Sequence, residues 1–246
     1  MCGIVGYVGP RQATPIIFDG LKRLEYRGYD SAGIAVIGLD ERIGVRRDVG
    51  KLSNLERKLA EQPLEGCVGI GHTRWATHGS PSETNAHPHT DCSGDLVVIH
   101  NGIVENFSVL RQELTGQGHT FASETDTEVI VHLVEQNMLD GQSFEEAARA
   151  ALLKLKGAQA VVLMDRQHPD RLIASRIGNA GGVICAAVEY GGGTQAQALE
   201  RIRDSIRANT AEVLECAANE GTTPRRAAVA MAEARVRRAM GWRRWR

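Results

Sequence analysis

The sequence predicts an α+β domain followed by a helical segment, and three observations carry that expectation. Short β-branched-rich runs, each bounded by Gly, Asp or charged residues, recur through residues 1–178. Stretches with apolar residues at helical spacing lie between those runs. After Arg176 the texture changes to turn-rich glycine strings, then to alanine- and arginine-rich helical patterns. The chain is therefore divided into segments 1–178 and 179–246.

The strand runs are 4–8, 33–37, 68–72, 96–100, 160–164 and 172–175. A first helix is expected with Thr14 as N-cap and Pro15 in its opening turn, ending near Arg23. A second follows Ser123, where acidic residues fill the first turn and Val129, Ile130, Leu133 and Val134 form an apolar stripe. A third covers 143–155, with Phe144, Ala147, Ala151 and Leu155 on one face. Past the joint Gly178-Asn179-Ala180-Gly181-Gly182 and a break at Gly191-Gly192-Gly193, Leu199, Ile202, Ile206, Val213 and Leu214 mark a helix over 195–218. Gly221 stops it, and Thr223 with Pro224 begins another that runs to Met240. The end, Trp242-Arg243-Arg244-Trp245-Arg246, is basic and aromatic.

At 246 residues with 42% hydrophobic and 24% charged content, the chain has the composition of a soluble globular protein. A formal net charge of −1 predicts no bulk attraction to nucleic acid or membrane. No apolar run approaches the ~18 residues of a spanning helix. The N-terminus lacks the basic region of a signal peptide, so a cytoplasmic address is expected. The five cysteines, Cys2, Cys67, Cys92, Cys185 and Cys216, are odd in number and widely spaced, which argues against a disulfide framework or a zinc site. Charge is unevenly shared. From residue 179 onward there are 11 arginines, no lysine and seven acidic residues.

The chemistry centres on Cys2-Gly3-Ile4-Val5-Gly6. Methionine before a small residue is readily removed, which would leave a thiol and a free α-amine on one residue. An α-amine has a reference pKa of about 7.7–8.0, close enough to neutrality to take the thiol proton. The bland alternative is a small buried hydrophobe at a strand start. Further strings tip the balance. Leu24-Glu25-Tyr26-Arg27-Gly28-Tyr29-Asp30-Ser31-Ala32-Gly33 joins a helix to a strand, and His72-Thr73-Arg74-Trp75-Ala76-Thr77-His78-Gly79 follows another strand. His100-Asn101-Gly102 ends a third, and Ser123-Glu124-Thr125-Asp126-Thr127-Glu128 opens a helix.

At these strings the chain resembles the N-terminal-nucleophile glutamine amidotransferases, specifically the glutamine–fructose-6-phosphate aminotransferase (glucosamine-6-phosphate synthase) family. The resemblance covers 1–178, and the form Tyr26-Arg27-Gly28-Tyr29-Asp30-Ser31-Ala32-Gly33 favours this family over phosphoribosyl-pyrophosphate and asparagine-forming relatives. It implies a four-layer αββα sandwich, here incomplete for want of its last strands, with a helical C-terminal appendage. It implies hydrolysis of L-glutamine through a thioester on Cys2, and fructose 6-phosphate as ammonia acceptor only where an isomerase domain is supplied elsewhere. Arg74 would take the substrate carboxylate as a bidentate partner, and Asp126 the ammonium. Asn101 and Gly102 would form the oxyanion hole, with Arg27 and Gly28 closing the site around Cys2. Trp75, Thr77, His78 and His87 would line the pocket.

Each residue also has a plainer reading. Arg74 suits a surface ion pair, Asp126 a helix N-terminus, and Asn101-Gly102 a hairpin turn. His72, His78, His87 and His89 lack Cys or carboxylate partners at metal-ligand spacing and read as hydrogen-bonding scaffold. No metal or organic cofactor is implied, and the oligomeric state is left open.

Residues 179–246 resemble the C-terminal end of the glutamate/leucine dehydrogenase family. The match runs through Asn179-Ala180-Gly181-Gly182-Val183, Ile206-Arg207-Ala208-Asn209-Thr210 and the helix opening at Thr223-Pro224-Arg225-Arg226. No Gly-rich dinucleotide loop accompanies it, so dehydrogenase activity is not expected. Three classes of function remain: a glutaminase, an inactive chimera, and a binding module that uses the arginine-rich terminal helix with Trp242 and Trp245. The near-neutral charge disfavours nucleic acid as a partner.

Overall fold

A computed structural model describes residues 2–177 and 195–241. The chain divides into two compact units, Met1–Gly178 and Asn179–Arg246. Met1, residues 178–194 with the glycine joint and Cys185, and residues 242–246 with Trp242 and Trp245 lie outside the described residues.

In the first unit the strands are β1 (Gly3–Val8), β2 (Ser31–Ile37), β3 (Ile43–Val49), β4 (Val68–Arg74), β5 (His89–Thr90), β6 (Leu96–Gly102), β7 (Gln159–Asp165) and β8 (Ile173–Ile177). The helices are α1 (Ala13–Leu24), α2 (Leu52–Glu61), α3 (Phe107–Gly116), α4 (Glu128–Leu139) and α5 (Phe144–Lys154), with a 3-10 turn at Glu25–Arg27. One sheet has the order β1-β4-β2-β3 and the other β5-β6-β7-β8. Every pairing is antiparallel.

Three apolar cores define four layers. Ile70, Ala35, Val97, Ile99 and Met164 pack between the two sheets. Ile17, Leu21, Ile34, Leu52 and Leu55 join α1 and α2 to the outer face of the first sheet. Val98, Val129, Val134, Phe144 and Leu163 join α4 and α5 to the outer face of the second. The unit is thus an αββα sandwich. With both faces of the central strands covered, β2 is buried at every position and reads as a continuous apolar run. Gly71 in β4 lets α1 approach closely, since a Cβ there would sit 2.3 Å from Ile17 Cγ2.

All six strand runs predicted from the sequence are strands, and α5 starts as expected with Ser143 as N-cap in a reciprocal capping box with Glu146. Other starts shift. The N-cap of α1 is Gln12, because the Thr14 hydroxyl donates to the Leu64 carbonyl (2.7 Å) rather than capping the helix. The helix expected directly after Ser123 begins only at Glu128. Its carboxylate accepts the N–H groups of Ala122 and Ser123 (both 2.7 Å) and the Ser123 hydroxyl (2.6 Å), holding the intervening residues as a loop that carries Asp126. Asn101-Gly102 is no hairpin turn; it ends β6 paired with Ala160 and Gln159.

The second unit has two described helices, α6 (Gln195–Asn219) and α7 (Pro224–Gly241), packed on each other. Gly221 turns the chain between them at φ +59°, in the left-handed region that favours glycine. Ala217 and Ala227 are buried, while Ala228 is half-buried and Ala232 exposed. Among the described residues no helix is long and apolar enough to cross a membrane.

Candidate active site

Cys2 leads into β1, and the register Gly3↔Thr73 sets it beside the end of β4. The Thr73 hydroxyl accepts the Gly3 N–H at 3.0 Å, fixing that end of the strand. The Cys2 Sγ accepts the Trp75 N–H at 3.1 Å. Burial pushes the Cys2 thiol above the usual cysteine range, and the Trp75 N–H and the positive chain terminus pull against that shift. At neutral pH the thiol therefore keeps its proton until a base takes it.

Asn101, on β6, reaches across to the same residue. Its Nδ2 donates to the Cys2 carbonyl at 3.2 Å. Its Oδ1 faces His72 Nε2 at 2.8 Å, which places a proton on that imidazole nitrogen. Gly102 has φ +135°, and a Cβ there would meet the Ala158 carbonyl at 2.4 Å. A cleft of about 440 Å³ opens between the start of β1 and strands β7 and β8, lined by Cys2, Gly3, Leu24, Asn101 and Val161 among others.

Arg74 and Asp126 do not line this cleft; they are 3% and 4% exposed. Arg74 Nη2 is taken by the carbonyls of His78 and Gly79 (2.9 Å to the second), and Nη1 lies 3.5 Å from Asp30 Oδ1 without a hydrogen-bond partner. The bidentate fork expected from the sequence is thus half committed within the protein, leaving Nη1 as the open donor. Asp126 Oδ2 accepts the Val104 N–H at 2.7 Å, and its Oδ1 lies 3.8 Å from His78 Nδ1. Burial raises the Asp126 carboxyl above its usual range, against the Val104 N–H and the nearby His78.

The other expected residues are placed as follows. Trp75 is more than half exposed, with its ring over Gly28, whose Cβ would lie 3.1 Å away. Thr77 is exposed and His78 half-buried, edge-on to Phe107 at 5.1 Å. Arg27 closes the 3-10 turn, and its side chain lies outside the described part of the structure. His87 does not reach the cleft. It is buried, stacked on His72 at 4.2 Å, with its Nδ1 accepting the His100 N–H at 3.4 Å. The sequence reading left Asp30 without a role, although it stands in a motif, and gave His72 only as hydrogen-bonding scaffold, which its bond to Asn101 bears out. Asp30 accepts the Ala76 N–H and the Ser31 hydroxyl, tying down the segment after Arg74.

His72, His87, His89 and His100 form a buried layer behind Asn101. Desolvation holds them neutral, with His72 lowered to about 4 and His89 and His100 to about 3, and His87 well below its usual value. Their folded-state values lie below the unfolded reference of about 6.5, so this layer's contribution to stability is intact above that pH and lost as pH falls towards 4. Denaturant unfolding at stepped pH should show stability dropping through this window, by on the order of 1 kcal/mol per pH unit for each histidine that the unfolded chain protonates.

Comparison with known proteins bears on the family and the fold. Residues 72–180 match the glutamine amidotransferase domain family. Glutamine–fructose-6-phosphate aminotransferase (isomerizing) from Pyrococcus horikoshii is 55% identical over 176 residues, covering 72% of this chain and 29% of the relative. The Escherichia coli (strain K12) protein of the same name is 52% identical over 179 residues, covering 73% of this chain and 29% of the relative. The chain thus spans under a third of these relatives' length. In three dimensions, the glutamine phosphoribosylpyrophosphate amidotransferase from B. subtilis complexed with ADP and GMP superposes with a TM-score of 0.58 at 28% identity, covering 68% of this chain and 35% of that one. An allosteric regulatory enzyme of purine biosynthesis gives 0.59 at 29% identity, covering 68% and 36%. The first unit thus has the N-terminal-nucleophile fold of glutamine amidotransferases, matches their domain family over residues 72–180, and is similar in sequence to part of the glutamine–fructose-6-phosphate aminotransferases.

Proposed function

We propose that the first unit hydrolyses L-glutamine to glutamate and ammonia through a γ-glutamyl thioester on Cys2. The observation that carries this reading is the convergence of the Trp75 N–H and the Asn101 amide on the Cys2 residue. With Met1 removed, the Cys2 amine takes the thiol proton and Sγ attacks the substrate's side-chain amide carbon. The oxyanion that forms accepts hydrogen bonds from the Asn101 amide and the Gly102 N–H. Collapse of this intermediate, with the proton returned from the amine, releases ammonia and leaves the thioester. Water then attacks the thioester, freeing glutamate and the thiol.

Arg74 through Nη1, which lies 3.5 Å from Asp30 without a hydrogen-bond partner, and Asp126 through Oδ1, 3.8 Å from His78 Nδ1, bind the carboxylate and ammonium of glutamine. Trp75, Thr77 and His78 follow Arg74 in the chain and serve that head group, and His87 supports His72 from behind. Replacing Arg74 with Lys or Asp126 with Asn should raise KM at least tenfold with a smaller effect on kcat, as steady-state glutaminase assays would read. A change confined to kcat would remove both residues from head-group binding.

The test of the reaction is intact mass after exposure to a diazoketone analogue of glutamine. The expected result is loss of Met1 and one adduct, mapped to Cys2; an adduct on another cysteine, or none, overturns the proposal. Delivery of ammonia to fructose 6-phosphate needs an isomerase domain from another source. For the second unit, descent from the C-terminal end of a glutamate/leucine dehydrogenase rests on its sequence strings.

A further inference from the structure

A second cluster of reactive side chains lies outside the cleft. Cys92 follows β5, His119 lies between α3 and α4, and His132 and Glu135 stand three residues apart on α4. One ligand atom from each falls within 4.8 Å of the others. We propose that Cys92, His119, His132 and Glu135 bind a structural zinc ion.

Geometry comes first. The Cys92 Sγ lies 3.7 Å from both His119 Nδ1 and His132 Nδ1. Each Nδ1 lies 2.9 Å from the same Glu135 oxygen, Oε2. A tetrahedral zinc with bonds of ~2.0–2.3 Å separates its ligand atoms by about 3.3–3.6 Å. The sulfur–nitrogen separations lie just above that range and the nitrogen–oxygen ones below it, and the set, spread within 4.8 Å, reaches tetrahedral spacing by side-chain rotation.

The outer ring points the same way. His119 Nε2 faces Gln136 Oε1 at 3.0 Å, and the Gln136 amide is fixed by its Nε2 donating to Asp140 (2.9 Å). Gln136 Oε1 therefore accepts the Nε2–H, and Nδ1 is the ring atom turned to the Glu135 carboxylate and the thiol. A zinc ion bound there would take the place of the proton that a histidine shares with Glu135. His132 turns the same ring atom inward. Its Nε2 is buried, has no hydrogen-bond partner and faces Glu128 Oε1 at 3.6 Å, while Nδ1 faces the cluster. An imidazole coordinating through one nitrogen with a carboxylate or amide oxygen behind the other is the usual support of a metal-bound histidine. The Thr120 N–H points at the Cys92 sulfur at 3.5 Å.

A thiolate and a carboxylate balance a divalent charge, and the mixed sulfur, nitrogen and oxygen set suits borderline-soft zinc. Four protein ligands leave no open position, so the ion is structural. It clamps the β5–β6 connection to α4 and pins both ends of the loop that carries Asp126.

The test uses the full chain. Purified protein should contain about one zinc per chain by mass spectrometry of the metal. The chelator-stripped protein should bind Co2+ with a thiolate-to-cobalt charge-transfer band and tetrahedral visible bands. Cys2→Ala should keep both signals. Cys92→Ser, at an exposed side chain, and His119→Gln should lose the charge-transfer band and lower metal content at least tenfold. Zinc should raise the Tm of the stripped wild-type chain by about 3 °C or more, and that of Cys92→Ser by less. Failure of the stripped wild-type chain to bind Zn2+ or Co2+ at tenfold excess overturns the site, as does an unchanged cobalt spectrum in Cys92→Ser.

Discussion

Replacing Cys2 with alanine should abolish glutamine hydrolysis, to below the detection limit of an ammonia-release assay, while the unfolding midpoint moves by less than about 2 °C. The sulfur is the only nucleophile at the start of β1, and its removal leaves a hole at a half-buried position rather than in a core. Cys67→Ser and Cys216→Ser should retain activity. Neither can share a residue with a free amine, which is what lets Cys2 supply both nucleophile and base. Activity surviving in a folded Cys2→Ala protein would end the thioester mechanism.

The second large effect belongs to Asn101. Asn101→Ala should lower kcat roughly 100-fold or more, with KM changed far less, because an oxyanion donor acts mainly in the transition state. The amide is aimed by its neighbours. His72 donates to Oδ1 at 2.8 Å, leaving the Nδ2 protons directed at the Cys2 side. His72→Phe, which keeps the stacking volume against His87 and loses the donor, should therefore also lower kcat, by about 10-fold, with glutamine KM little altered. An Asn101→Ala enzyme with unchanged kcat would show that the oxyanion is held by other donors.

How far the fold is legible in the sequence depends on burial. Of the six strands read from β-branched runs, β2, β4, β6 and β7 are central in their sheets and mostly buried, while β1 and β8 are edge strands legible from their β-branched residues alone. β3 escapes because Arg46, Arg47 and Asp48 interrupt its apolar pattern, which an outer strand half-exposed along its whole length can tolerate. β5 is two residues long and has no periodicity to detect. Leu52, Leu55 and Leu59 do stand at helical spacing, and α2 hides only because the charged residues around them dominate its composition. The offset at α4 has a clear cause. Glu128 satisfies the N–H groups of Ala122 and Ser123, so the acidic string forms a loop before the helix instead of its first turn.

The site divides in the same manner. Cys2, Arg74, Asn101 and Asp126 are readable because they sit in compact strings. What the strings do not disclose is which atoms remain free, since Arg74 Nη2 and Asp126 Oδ2 are spent on backbone groups. The Cys92 cluster is illegible for another reason. Its members come from three separate parts of the chain, and only His132 and Glu135 are close enough in sequence to suggest one helix face.

The pairing of β1 with β4 carries one more consequence. Gly3 lies opposite Thr73, so the positions of Cys2, Arg74 and the Trp75 N–H all descend from a single strand alignment. A slip of one residue would displace Cys2 by about 3.3 Å and turn it to the opposite face of the sheet. Placement of the proposed nucleophile is then a property of one end of an outer strand. Because Ile4 and Val5 pack against two of the cores, only the release of Cys2 and Gly3 would spare them. Folding of the sandwich and placement of the thiol would then be two separate equilibria.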